Sequence, residues 1–79
     1  MKNNVYSIHD QLACSYSPLY EAPNDGVAIR SFLHSLAKGD TADPRDYVLY
    51  KLGSFDTAIG QLEIVEPIMV KRGEVNQNG

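Results

Sequence analysis

Two histidines, one cysteine and ten carboxylates are the groups with which this 79-residue chain can do chemistry. His9 and Asp10 are adjacent and His34 stands far along the chain, so they form a metal site only if the fold brings all three together. Metal sites need three or four converging ligands, and two histidines without close spacing read more readily as solvated or hydrogen-bonded side chains. Cys14 needs a neighbouring base to act as a nucleophile, because the thiolate attacks and the thiol does not. The sequence sets no base beside it. Asp43, Asp46, Asp56 and Glu63 offer paired carboxylates for acid–base work. An aspartate that starts a loop, however, accepts hydrogen bonds from turn backbone, and Asp56 in SFDTAIG reads that way. The chain carries no P-loop, GxGxxG, HExxH or CxxC pattern. It reads as a non-enzyme with no metal and no cofactor.

Binding chemistry is better supplied. Tyr47, Tyr50 and Lys51 fall in one short stretch, with Tyr6 and Tyr20 elsewhere in predicted strands. Nucleic-acid bases stack on tyrosine faces with little regard to sequence, which suits a single strand. Arg30, Arg45, Lys71 and Arg72 supply cations, so the DNA-contacting set is Arg30, Arg45, Tyr47, Tyr50, Lys51, Lys71 and Arg72. Against it, the net charge is −3 and the seven basic residues are scattered, which argues against simple coating of nucleic acid. The competing reading has the tyrosines filling a protein interface and the lysines facing water.

The elements that must position these groups follow from periodicity. Residues 24–39, NDGVAIRSFLHSLAKG, form the one convincing helix. Ile29, Phe32, Leu33 and Leu36 lie at i, i+3, i+4 and i+7, with Val27 and Ala28 widening the stripe. Asn24 is the predicted N-cap, Asp25 and Lys38 complement the dipole, and Gly39 suits a left-handed stop. Strands are expected at residues 5–9, 16–22, 46–53 and 61–66, the first two as a hairpin. Residues 54–60 read as a turn, and Pro67 as a break after which residues 68–70 continue or begin a short strand. The 46–53 strand, apolar on both faces, belongs mid-sheet or in an interface. The order ββαββ gives an α+β domain over residues 1–70, a small antiparallel sheet with one helix on one face. Residues 71–79 read as a disordered polar tail. One helix leaves the other sheet face uncovered, so a homodimer or higher oligomer is expected through that face or an edge strand. A single cysteine fits a reducing compartment, the N-terminal residues lack an apolar leader core, and no apolar run nears ~20 residues. A soluble intracellular protein is expected.

The segments VYSIHD (5–10), GVAIRSF (26–32) and DYVLYKLGSFD (46–56), followed by Gly60, are similar to the small nonstructural protein of gokushoviruses, single-stranded DNA bacteriophages of the Microviridae. The resemblance covers residues 5–62 and rests on order and spacing. The DTADPRD loop (40–46) and the segment after Val70 lie outside it. It implies a non-capsid protein of the host bacterial cytoplasm that binds viral DNA and acts in its synthesis, or in the switch to single-strand production and packaging. It brings no functional residues with it. The alternative of a different class is an oligomeric protein–protein module that contacts the phage replication initiator, the procapsid or a host replication factor.

Overall fold

The computed structural model describes residues 1–39 and 43–74 and is an α+β fold, one helix on a five-stranded antiparallel sheet. The first strand, β1 (Lys2–Asp10), lies in the middle. One edge pairs in turn with β2 (Ser15–Tyr16) and β3 (Tyr20–Ala22); the other pairs along its whole length with β4 (Tyr47–Asp56). Beyond β4 lies β5 (Gln61–Arg72), with no further strand outside it among the described residues. The expected mid-sheet position of the β4 segment is what the sheet order gives.

β1 starts three residues before the expected strand and ends one after it, and three further boundaries differ from the sequence expectation. The single strand foreseen over 16–22 is two short strands. Pro18 has no N–H to donate, and Ser17 takes over the edge: its N–H donates to the Ile8 carbonyl (2.8 Å) and its Oγ accepts from the Ile8 N–H (2.9 Å). β4 runs on through the supposed turn to Asp56, leaving the turn at 57–60. β5 continues past Pro67 to Arg72, but residues 65–67 have no partner on β4, so the proline sits in an irregularity of an edge strand where no ladder bond is lost. Lys71 and Arg72 therefore belong to the sheet rather than to a tail; residues 75–79 lie outside the described residues. A single 3-10 turn (Pro44–Asp46), capped by Asp43, leads into β4.

The two tight hairpins share a plan. Each opens on an aspartate whose Oδ1 accepts turn N–H groups: Asp10 from Leu12 and Ala13, Asp56 from Ala58, all at 3.0 Å. Each ends on a left-handed residue, Gly60 (φ 67°) and Cys14 (φ 56°). Glycine adopts that conformation freely; a non-glycine residue there is strained by about 1–3 kcal/mol. Cys14 is exposed, so replacing it loses little packing. Cys14→Gly is expected to stabilise the chain by about 1 kcal/mol after the added entropy of the unfolded glycine, raising the melting temperature by about 4–8 °C. A thermal melt checks this, and an unchanged or lower melting point would show that the strain is absent.

The helix α1 spans Asp25–Lys38. Asn24 caps it as expected, its Oδ1 accepting from the Val27 N–H at 3.0 Å. Gly39 departs from expectation: it is extended (φ −77°), and its N–H closes the last turn onto the Ser35 carbonyl. The buried stripe is centred on Ala28 and Phe32, with Val27, Ile29 and Leu36 partly buried, while Leu33 is exposed. The helix thus sits rotated away from Leu33 and towards Ala28, whose small side chain lets the backbone approach the sheet closely. Ala28 and Phe32 meet Tyr6, Ala22 and Leu49 in the core.

Tyr6, counted in the sequence among the tyrosines available for base stacking or an interface, is instead fully buried beneath α1. Its hydroxyl donates to Asp25 Oδ1 at 2.5 Å and accepts from Asn4 Nδ2 at 3.0 Å. Tyr20 stacks tilted beside it, 5.8 Å between centroids, and donates to the Ala28 carbonyl at 3.3 Å. No helix among the described residues is long and apolar enough to cross a membrane.

Candidate functional site

Side chains alternate across a strand, and cross-strand partners share a face. Tyr6, Ile8 and Leu49 pack on the core under α1. Their neighbours Val5, Ser7, His9, Val48 and Tyr50 therefore point to the opposite face, which no helix covers among the described residues. Pairing adds Tyr16 (opposite His9), Met69 (opposite Tyr50) and Arg72 (opposite Val48) to this open face.

One end of the open face is aromatic. His9 and Tyr16 lie 4.3 Å apart between centroids at 47°. Tyr50 completes the group edge-on, 5.9 Å from Tyr16 and 6.3 Å from His9. The Gln11 amide stands 2.7 Å from His9 Nδ1. With the amide nitrogen donating, Nδ1 is the acceptor and the ring N–H is left at Nε2. Beneath, Ser7 is fully buried yet satisfied, its Oγ donating to the Ser17 carbonyl at 2.8 Å. Arg72 is exposed at the margin, its Nη1 donating to the Arg45 carbonyl at 3.0 Å. Ser7, His9, Tyr16, Val48, Tyr50, Met69 and Arg72 bring one guanidinium and no carboxylate to this end. The other end is apolar, a shallow depression of about 200 Å³ lined by Val5, Leu19, Tyr20, Glu21, Phe55 and Leu62.

The residues expected to touch DNA are not gathered in one place. Tyr50 and Arg72 stand on the open face. Tyr47, Lys51 and Lys71 pair with Asp10, Tyr6 and Leu49, on the face α1 occupies, and Tyr47 packs against the core. Lys71 is bonded to Glu74. Arg30 is exposed on the helix. Arg45 sits in the 3-10 turn, clasped by Asp43 through Nε and Nη2, both at 3.0 Å. That pairing, with the backbone N–H of Arg45, holds the Asp43 carboxyl below its usual range.

Sequence reasoning missed His9 and Tyr16 as partners of Tyr50. The signal was present: a four-residue loop closed by Asp10 and Ser15 sets His9 opposite Tyr16. His9 and Asp10, as strand neighbours, point to opposite faces, and His34 is exposed on α1. Among the described residues no group of three or more His, Cys, Asp and Glu side chains is placed to hold a metal. Cys14 is exposed at a hairpin tip, its Sγ 3.6 Å from the Gln11 carbonyl.

A family model described as phage ORF5 protein matches residues 3–75. No curated protein and no solved structure matches the chain.

Proposed function

The chain belongs to the phage ORF5 protein family, and on that premise we propose that it is a non-enzymatic phage accessory protein that binds single-stranded viral DNA through the open face of its sheet. The observation that carries the reading is the His9–Tyr16–Tyr50 cluster. Three rings on an uncovered sheet, with Arg72 at the margin and no carboxylate among them, make a stacking surface for unpaired bases next to a cation for their phosphates. A duplex hides its base faces and gains nothing from such a surface. The similarity to gokushovirus nonstructural proteins supports a role in viral DNA synthesis, or in the switch to single-strand production and packaging, in the host cytoplasm. Arg30, Arg45, Lys51 and Lys71 lie off this face and contribute only to the long-range field.

The net charge of −3 and the apolar end of the open face favour the second reading. In it the chain contacts the phage replication initiator, the procapsid or a host replication factor, and binds no DNA.

Fluorescence anisotropy of labelled single- and double-stranded DNA over a salt series separates the two. Tyr50→Ala and Tyr16→Ala are each expected to weaken single-strand binding by about 1–3 kcal/mol, which is about five- to 150-fold. Arg72→Gln is expected to make the salt dependence shallower. An absence of binding at low salt, where phosphate attraction is strongest, would move the search to protein partners.

A further inference from the structure

β5 is the longest strand in the fold, yet every residue from Gln61 to Met69 is exposed. Its apolar side chains are bare: Ile64 is 78 % exposed, Met69 59 % and Leu62 50 %. Its outer edge has no partner among the described residues. None of the seven buried apolar residues comes from β5, and Val70 alone packs against the core from that strand. A hairpin arm held by so little is marginal by itself. Small domains compensate for a small core with disulfides, metals or association. One cysteine excludes an intrachain disulfide, and no metal-ligand group is present among the described residues. The free feature is the outer edge of β5, a row of unpaired backbone groups that another strand would pair while packing beside its side chains, and a second copy of the chain supplies such a strand.

The charges on β5 say how the copies meet. Before Pro67 the strand carries Glu63 and Glu66 and no cation; after it come Lys71 and Arg72 and no carboxylate. Laid antiparallel on itself, each acidic half faces the other copy's basic half; laid parallel, like charges meet. Glu63 and Lys71 pair with Ser54 and Leu49, which lie opposite Asn4 and Ile8, so both belong to the face that α1 covers. The antiparallel arrangement brings them together on that face, where Lys71 is shared with Glu74 of its own chain.

We propose that the protein is a two-fold homodimer in which β5 lies edge to edge and antiparallel with β5 of a second copy, the axis passing near Pro67. Side-by-side antiparallel strands require that axis to stand perpendicular to the sheet, so the sheet runs through both copies with the two helices on one side and both open faces on the other. Pro67 lacks an N–H and confines the new ladder to the half-strands on either side. The assembly is independent of the DNA reading, because it is measured without DNA.

Light scattering on the purified full chain is the test. The expected mass is twice the 8.7 kDa of one chain. Glu63→Lys with Glu66→Lys makes β5 wholly basic, and Lys71→Glu with Arg72→Glu makes it wholly acidic. Each double variant alone is expected to fall to the single-chain mass, and an equimolar mixture to recover the dimer. If either variant alone also loses its circular dichroism signal, recovery of both mass and signal on mixing supports the same conclusion. A wild-type chain that stays at 8.7 kDa at millimolar concentration overturns the proposal. So does a charge variant that keeps the dimer mass alone, or a mixture that stays monomeric.

Discussion

Replacing Phe32 by alanine is expected to destabilise the fold by about 3–5 kcal/mol, the range for emptying a fully buried aromatic site. Phe32 is completely buried and anchors α1 against Tyr6, Ala22 and Leu49. Five buried residues, Tyr6, Ala22, Ala28, Phe32 and Leu49, form the cluster that joins the described helix to the sheet, and Phe32 is the one large side chain the helix buries completely there. Domains commonly have about 5–15 kcal/mol in total, and this one loses a large share in a single step. Urea unfolding followed by circular dichroism reads the effect as a lower midpoint at an unchanged slope. Leu33→Ala is the control. Leu33 is the next residue on the same helix but 39 % exposed, and it should cost well under half as much. Equal effects at the two positions would mean that Leu33 belongs to the buried stripe, as the periodicity suggested.

Tyr6→Phe is expected to cost about 1.5–3 kcal/mol, the range for a hydrogen bond to a charged group. It removes the donor from Asp25, partly buried in the first helical turn, and the acceptor from Asn4. The ring remains, so no cavity opens. The same hydroxyl gives a signature in alkali. Burial, and next the hydrogen bond to Asp25, push the Tyr6 pKa up to about 12. An unfolded tyrosine titrates near 10, so between about pH 10 and 12 the folded state holds a proton that the unfolded state has lost. Stability from this group is complete below about pH 10 and falls as pH rises towards 12. Burial raises Tyr20 as well, with the same sign. In Tyr6→Phe the alkaline limb should be shallower and keep only the Tyr20 part. An identical limb in the variant would show that the Tyr6 hydroxyl does not carry it.

The helix was legible because two independent signals agree there, a 3.6-residue apolar period and an Asn24 cap that the structure reproduces. The strand segments were legible from β-branched and aromatic content. Which way their side chains point was not. Register shifts fall between Val5 and Tyr6, Leu49 and Tyr50, and Lys51 and Gly53. Each reverses the face assignment of the residues beyond it, and local composition does not report a bulge. A Cβ on Gly53 would collide with the Glu63 carbonyl, so the glycine marks the last of these shifts, but only once the partner strand is known. Tyr6 was misplaced for a related reason. Tyrosine is buried where its hydroxyl finds a partner, and Asp25 is nineteen residues away in sequence. The aromatic cluster was partly visible through Tyr50. His9 and Tyr16 join it by hairpin geometry, which residue type alone does not encode.

The central place of β1 also dictates an order of events in time. Its pairings with β2 and β3 are local, as is the β4–β5 hairpin, and local loops close within microseconds. The β1–β4 seam is different, since Asp10 meets Tyr47 and Lys2 meets Asp56. Closure entropy rises with the length of chain enclosed, so the seam starts at its shortest loop. That is the Asp10–Tyr47 end, where the Gln11 N–H already reaches the Asp46 carbonyl at 2.8 Å. Pairing then extends from that end towards Lys2 and Asp56 and stabilises the local hairpins on either side. Folding speed is governed by this one nonlocal seam, and its last rung is the Thr57 N–H on the Met1 carbonyl.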